Sequence, residues 1–235
     1  MAYLIMLDAG HGGQDPGAVY KGRQEKNDNL KLALAVGEIL KNKGIDISYT
    51  RTGDVYQTPF EKAQLANQAG VDYFISFHRN SSPKENQYNG AEVLIYDKSG
   101  IKYQMAENIL GALGEVGFRE IGVKERPGLV VLRRTRMPAL LIEIGFINSE
   151  EDNKLFDNKF SDIAQGIQMR FLEAWMRKQC RNRFITECRL ERSEKKRMRT
   201  VCYISYWKKV IPLLCYMKTD CIKFRQVPIS RLVMQ

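Results

Sequence analysis

Histidine and, over three quarters of the length, cysteine are what this sequence has least of. Only two histidines, His11 and His78, occur in 235 residues. Residues 1–176 hold no cysteine, and all five (Cys180, Cys188, Cys202, Cys215 and Cys221) lie beyond them. The long first segment therefore folds without disulfides, and an odd count with no C-x-x-C pair suits neither a disulfide framework nor a zinc knuckle. No uninterrupted apolar run reaches the ~18 residues that a membrane-crossing helix needs, so no transmembrane segment is expected. The opening Met1-Ala2-Tyr3-Leu4-Ile5-Met6-Leu7-Asp8 has no basic n-region, and its apolar run is too short for a secretory leader. It reads as a first strand, and action outside the membrane would require another export route or a missing leader. Internal repeats and low-complexity segments are also missing.

The net charge of +10 conceals an asymmetry. Residues 1–176 carry 21 Lys/Arg against 23 Asp/Glu, a balance of −2, whereas residues 177–235 carry 16 against 4, a balance of +12. Two parts are expected: a catalytic-type domain over 1–176 and a basic, cysteine-containing tail over 177–235. The tail reads either as a cationic arm for an anionic polymer or as a poorly ordered extension, because composition and periodicity change abruptly there. Within it, Val201–Trp207 could form a strand.

Over the first 176 residues strand-like and helix-like runs alternate. Strands are predicted at Tyr3–Ala9, Ile45–Arg51, Asp72–His78, Gly90–Tyr96, Leu129–Arg134 and Ala139–Gly145. Helices are predicted over 27–43, 101–116 and 159–176, each with apolar residues at helical spacing, and over Pro59–Ala69 with proline in its first turn. This alternation predicts an α/β layered fold around a largely parallel sheet, and a core of ordinary size.

The chemistry-bearing residues are few. His11 follows the first strand within Gly10-His11-Gly12-Gly13, whose glycines allow a tight turn and close approach of a ligand. His78 ends the third strand. The carboxyl ends of strands are where open α/β sheets bind ligands, and neutral imidazole is a good zinc ligand, so two such histidines read either as a shared metal site or as structural side chains, and spacing alone leaves both open. Glu143 lies inside the apolar run Ala139–Phe146. An ionised carboxylate there is costly unless paired or on a metal. Desolvation would raise its pKa, which suits a general base near neutral pH. The alternative is a buried ion pair with Arg133 or Arg134, and the sequence leaves both open. Glu25, just before the first helix, reads on its own as helix-start chemistry that serves the helix dipole.

These residues lie in motifs that resemble a known family. Leu7-Asp8-Ala9-Gly10-His11-Gly12-Gly13-Gln14-Asp15-Pro16-Gly17-Ala18 resembles the opening motif of the zinc-dependent N-acetylmuramoyl-L-alanine amidases of the Amidase_3 family. Ser76-Phe77-His78-Arg79-Asn80-Ser81 resembles its second histidine motif, and Pro138–Asn148 its catalytic glutamate motif. The likeness covers roughly residues 3–175. It implies a three-layer α/β/α sandwich around a twisted, mostly parallel sheet of about six strands. It further implies one zinc ion on His11, Glu25 and His78, with Glu143 as the catalytic acid/base. Arg79 departs from the small residue expected after that histidine, and is expected to narrow the groove.

The implied activity is hydrolysis of the bond between N-acetylmuramic acid and L-alanine in bacterial peptidoglycan, at the cell wall or outside the membrane. Anionic wall polymers are the expected partners of the tail. Zinc carboxypeptidases and aminopeptidases use similar ligands, but they need a group that grips a chain terminus, and none is evident. A non-catalytic wall binder should lack a ligand or the glutamate, and all four residues are present. The acidic balance of residues 1–176 argues against a nucleic-acid partner.

Overall fold

The computed structural model describes residues 4–170. The basic tail expected at 177–235, the Val201–Trp207 segment within it and the end of the helix expected over 159–176 lie outside the described residues. The elements in order are β1 (Leu4–Ala9), β2 (Val19–Tyr20), β3 (Arg23–Gln24), α1 (Glu25–Lys41), β4 (Asp46–Tyr49), α2 (Pro59–Ala69), β5 (Tyr73–Asn80), β6 (Ala91–Ile95), α3 (Gly100–Val116), β7 (Glu120–Glu125), α4 (Val130–Arg134), β8 (Ala139–Phe146) and α5 (Glu150–Asn158). Helical backbone resumes over 160–170.

Six strands form one sheet in the order β4-β1-β5-β8-β6-β7, and β2 pairs with β3 in a separate hairpin. Neighbours are parallel except at β8 and β6, which run antiparallel. The first four strands in that order thus point one way, and β6 and β7 return. The carboxyl ends of β1, β5 and β8 lie together at one edge, beside the beginning of β6.

Alternation of side chains along each strand splits the core into two layers. Met6, Phe74, Leu94 and Leu141 meet Ala66 of α2 and Val131 and Leu132 of α4 on one face. Ile5, Leu7, Ile75 and Phe77 point to the other face, where α1 packs on β1, β4 and β5 and α3 packs on β6, β7 and β8. The result is the expected three-layer sandwich. α2 begins as its sequence dictates, with Pro59 at its first position and a capping box between Thr58 and Glu61. α1 begins two residues earlier than its apolar periodicity suggests, so Glu25 is its first residue.

Leu129–Arg134 is a correction. The segment is helix α4 from Val130, and Val131 and Leu132 are both buried against the sheet. A short apolar run has no period that separates a strand from one helical turn. β7 takes the edge position instead, with exposed Glu120 and Glu125 and only Val123 buried. α5 starts at Ser149, whose side chain caps the Asp152 N–H.

Candidate metal centre

The chain after β1 turns sharply through Gly10-His11-Gly12-Gly13. His11 itself has φ of 60°, a left-handed conformation that costs a non-glycine residue free energy. That turn is held from behind. Gly10 N–H donates to the Phe77 carbonyl at 3.0 Å. Arg51 donates from Nε to the Ala9 carbonyl and from Nη2 to the Gly10 carbonyl, both at 3.0 Å. Lys62 Nζ donates to the Ala9 carbonyl at 2.7 Å and pairs with Asp8 at 2.9 Å. Asp8 also accepts from Thr50 and Ser76 at 2.7 and 2.6 Å. Burial alone would raise its pKa; Lys62 and these hydroxyls outweigh that and hold it below the usual range. The edge of Gly10 lies against the imidazole of His78, which fills the volume a β-carbon would take.

Glu25 reaches the same place from α1. The hairpin β2–β3 carries the chain out and back through Lys21-Gly22, both at positive φ, as a two-residue turn of this twist requires. Glu25 N–H then donates to the Ala18 carbonyl at 3.0 Å, and Ala18 N–H donates back to Glu25 Oε2 at 2.9 Å. Its other oxygen accepts from the Arg79 N–H at 3.1 Å and from Asn29 at 3.2 Å.

His11, Glu25 and His78 converge so that one ligand atom from each lies within 4.8 Å of the others. The nitrogens facing Glu25 are His11 Nε2, at 3.2 Å, and His78 Nδ1, at 2.9 Å. The far nitrogen of His11, Nδ1, donates to Asp15 Oδ2 at 2.8 Å. A carboxylate on the outer nitrogen fixes ring orientation and tautomer. Asp15 is a site residue that spacing alone did not single out, although it stands in the opening motif. Burial opposes charge on the His11 ring, yet Glu25 and Asp15 prevail and raise its pKa to about 9. Burial likewise opposes the Glu25 carboxylate, and the two histidines hold its pKa far below the ordinary value.

Glu143 projects beside this cluster. It pairs in register with His78 across β5 and with Glu92 across β6. Its Oε2 is sealed from solvent and has no hydrogen-bond partner. Burial pushes its pKa up to about 7; the neighbouring acids Glu25 and Glu92 add to the rise, and His78 works against it. Arg133 and Arg134 are exposed on α4, so the alternative of a buried pair with either is not what forms. Arg79 does not narrow the groove. Being next to His78 on the strand, its side chain leaves by the opposite face and is buried.

Two imidazoles at strand ends and a carboxylate from the start of α1, with the Glu143 acid beside them, form a group that could hold a metal ion. Residues 5–169 match the N-acetylmuramoyl-L-alanine amidase family, and the chain belongs to it. It is 38% identical over 168 residues to the sporulation-specific N-acetylmuramoyl-L-alanine amidase of Bacillus subtilis (strain 168), covering 69% of this chain and 64% of that protein. To the endolysin of Bacillus phage SPP1 it is 33% identical over 173 residues, covering 71% and 64%. The chain thus spans somewhat less than two thirds of these curated relatives. The crystal structure of an N-acetylmuramoyl-L-alanine amidase from Clostridium difficile 630 superposes with a TM-score of 0.68 at 33% identity, covering 73% of this chain and 96% of that one.

Proposed function

We propose that this chain hydrolyses the amide bond between the lactyl group of N-acetylmuramic acid and L-alanine in peptidoglycan. The observation that carries the reading is the convergence of His11, Glu25 and His78 beside the half-buried Glu143, whose Oε2 is sealed and without a hydrogen-bond partner. The donor set fits zinc, since two imidazoles and one carboxylate are a usual hydrolase ligation and leave a position open. His11, Glu25 and His78 would hold one ion. When bound, zinc supplies a Lewis acid that polarises the scissile carbonyl and acidifies water.

The chain's own groups do the rest. Asp15 keeps the Nδ1 proton of His11 and so directs Nε2 inward. The Glu143 carboxylate takes a proton from the attacking water and returns it to the departing nitrogen of L-alanine. The carbonyl carbon gains a bond to the water oxygen as its bond to nitrogen breaks, leaving a lactyl carboxylate and a free alanine amine. Burial, which raises the Glu143 carboxyl above its ordinary range, favours both transfers near neutral pH. We assign this work to residues 1–176, acting at the cell wall outside the membrane, and assign the basic residues 177–235 to contact with anionic wall polymers. Among the described residues no helix is long and apolar enough to cross a membrane.

Mass spectrometry of a peptidoglycan digest tests the reading. Stem peptides with a free N-terminal L-alanine and intact glycan strands are expected. Cleavage within the stem peptide or between sugars would overturn it.

A further inference from the structure

Successive side chains of β5 leave by opposite faces, so Arg79 enters the layer of α1 and α5 where His78 faces the groove. Arg79 is 2% exposed and heads the fully buried side chains by volume. Burial pulls its pKa down to about 10, although Asp28 opposes the fall. Its Nε has no hydrogen-bond partner. A buried ion with an unsatisfied donor is weak support for stability, and an apolar side chain of like volume often serves stability better.

The partners it does have sit on the segments that build the site. Nη1 donates to Asp28 Oδ2 at 2.7 Å, and Asp28 is in the first turn of α1, three residues after Glu25. Nη2 donates to the Phe146 carbonyl at 3.4 Å, at the end of β8, three residues after Glu143. The same nitrogen donates to Asn153 Oδ1 at 2.8 Å, and the guanidinium lies 4.3 Å from the ring centroid of Phe156, both on α5. The Arg79 main-chain N–H donates to Glu25 Oε1. Asp28 Oδ2 is braced in turn by Arg23 Nε at 2.7 Å, and Arg23 grips Asp157 with its remaining nitrogens at 2.9 and 2.7 Å.

We propose that Arg79 is a positioning residue for the metal centre: its guanidinium fixes the first turn of α1 against the ends of β5 and β8 and so sets the spacing of Glu25 from His78. The planar fork is what the arrangement needs, because it reaches Asp28 in one direction and Asn153 and the Phe146 carbonyl in another. A lysine offers a point charge without that fork. The proposal rests on the metal-centre reading above and goes beyond it by adding a residue that touches neither metal nor substrate.

The test uses the full chain, stripped of metal, with zinc affinity read by competition against a chromophoric chelator and site geometry read from the visible spectrum of the cobalt-loaded protein. Arg79→Met and Arg79→Lys are compared with Leu113→Ala, a core truncation in α3 that lowers the melting temperature away from the site. Both Arg79 variants should bind zinc about 10–100-fold more weakly, the loss usual for outer partners of a metal site. They should also shift the cobalt bands, while Leu113→Ala keeps wild-type values of both. If Arg79→Met does not fold, Arg79→Lys, which keeps the charge opposite Asp28, decides alone. A folded Arg79 variant with wild-type zinc affinity and cobalt spectrum overturns the proposal and leaves the metal centre standing. A wild-type chain that binds no zinc overturns the metal centre itself, and the role of Arg79 with it.

Discussion

Glu143 and His78 stand directly opposite one another on the parallel strands β8 and β5, an acid with a sealed, unpartnered oxygen next to an imidazole of the His11–Glu25–His78 cluster. Sheet register brings them together, and nothing in the 64 residues between them in sequence announces it. For Glu143→Gln we expect retained zinc and a turnover loss of about 10²–10⁴-fold, the usual contribution of a general acid–base group. Steady-state rates beside metal analysis check this; a zinc-loaded Gln variant with near wild-type turnover would end the catalytic assignment.

The same residue carries a stability cost. Its folded pKa of about 7 lies above the ordinary 4.5, so the folded state loses stability as pH rises from 4.5 to 7, and the loss is complete above 7. A shift of that size corresponds to roughly 3 kcal/mol. Metal-free Glu143→Gln should therefore melt higher than metal-free wild type at pH 8 and close to it at pH 4.5. A variant that melts lower at pH 8 would mean that Glu143 has a cationic partner after all.

Zinc loading should follow pH through His11. In the metal-free protein its folded pKa of about 9 exceeds the ordinary 6.5, so its stabilising contribution is full below pH 6.5 and is lost by pH 9. A zinc ion must displace that proton. Affinity should rise with pH up to about 9, and titration calorimetry at pH 7 in buffers of different ionisation enthalpy should register proton release. Equal heats in all buffers would contradict it. His11→Ala or His78→Ala should abolish most of the single zinc per chain, measured by elemental analysis.

Asp15→Ala removes the acceptor from the outer nitrogen of His11. Zinc affinity should fall about 10–100-fold, while Asp15→Asn, which can still accept through its amide oxygen, should lose less. Equal zinc affinity in all three proteins would show that the bond does not orient the ring.

A chain ending at Met176 should fold and cleave soluble muropeptides at the rate of the full-length protein, because the described sheet and its helices lie within residues 4–170. Its binding to intact walls should be weaker, and the difference should shrink at high salt. Pull-down on purified walls at two ionic strengths measures it; an insoluble truncation would move the domain boundary.

Much of this was legible in the sequence because it rests on local chemistry. Pro59 marks the start of α2, and apolar runs mark β1, β5, β6 and β8. β7 escaped because an edge strand with solvent-facing Glu120 and Glu125 has little apolar signal. α5 escaped for a similar reason, being mostly polar with Phe156 as its buried anchor. The direction of Arg79 could have been read from strand alternation, since it must leave by the face opposite His78. Its partners could not, because Asp28, Phe146 and Asn153 meet only once the sheet has assembled.

Gly10 has a consequence for how such a protein can change. A β-carbon at position 10 and the ring of His78 would compete for the same volume, so even a methyl group there evicts the imidazole. Substitution at one position is closed off by the occupant of the other, 68 residues away in sequence. A library that randomises this turn would return glycine at position 10 wherever His78 is kept, and would find freedom there only among descendants that have given up the histidine.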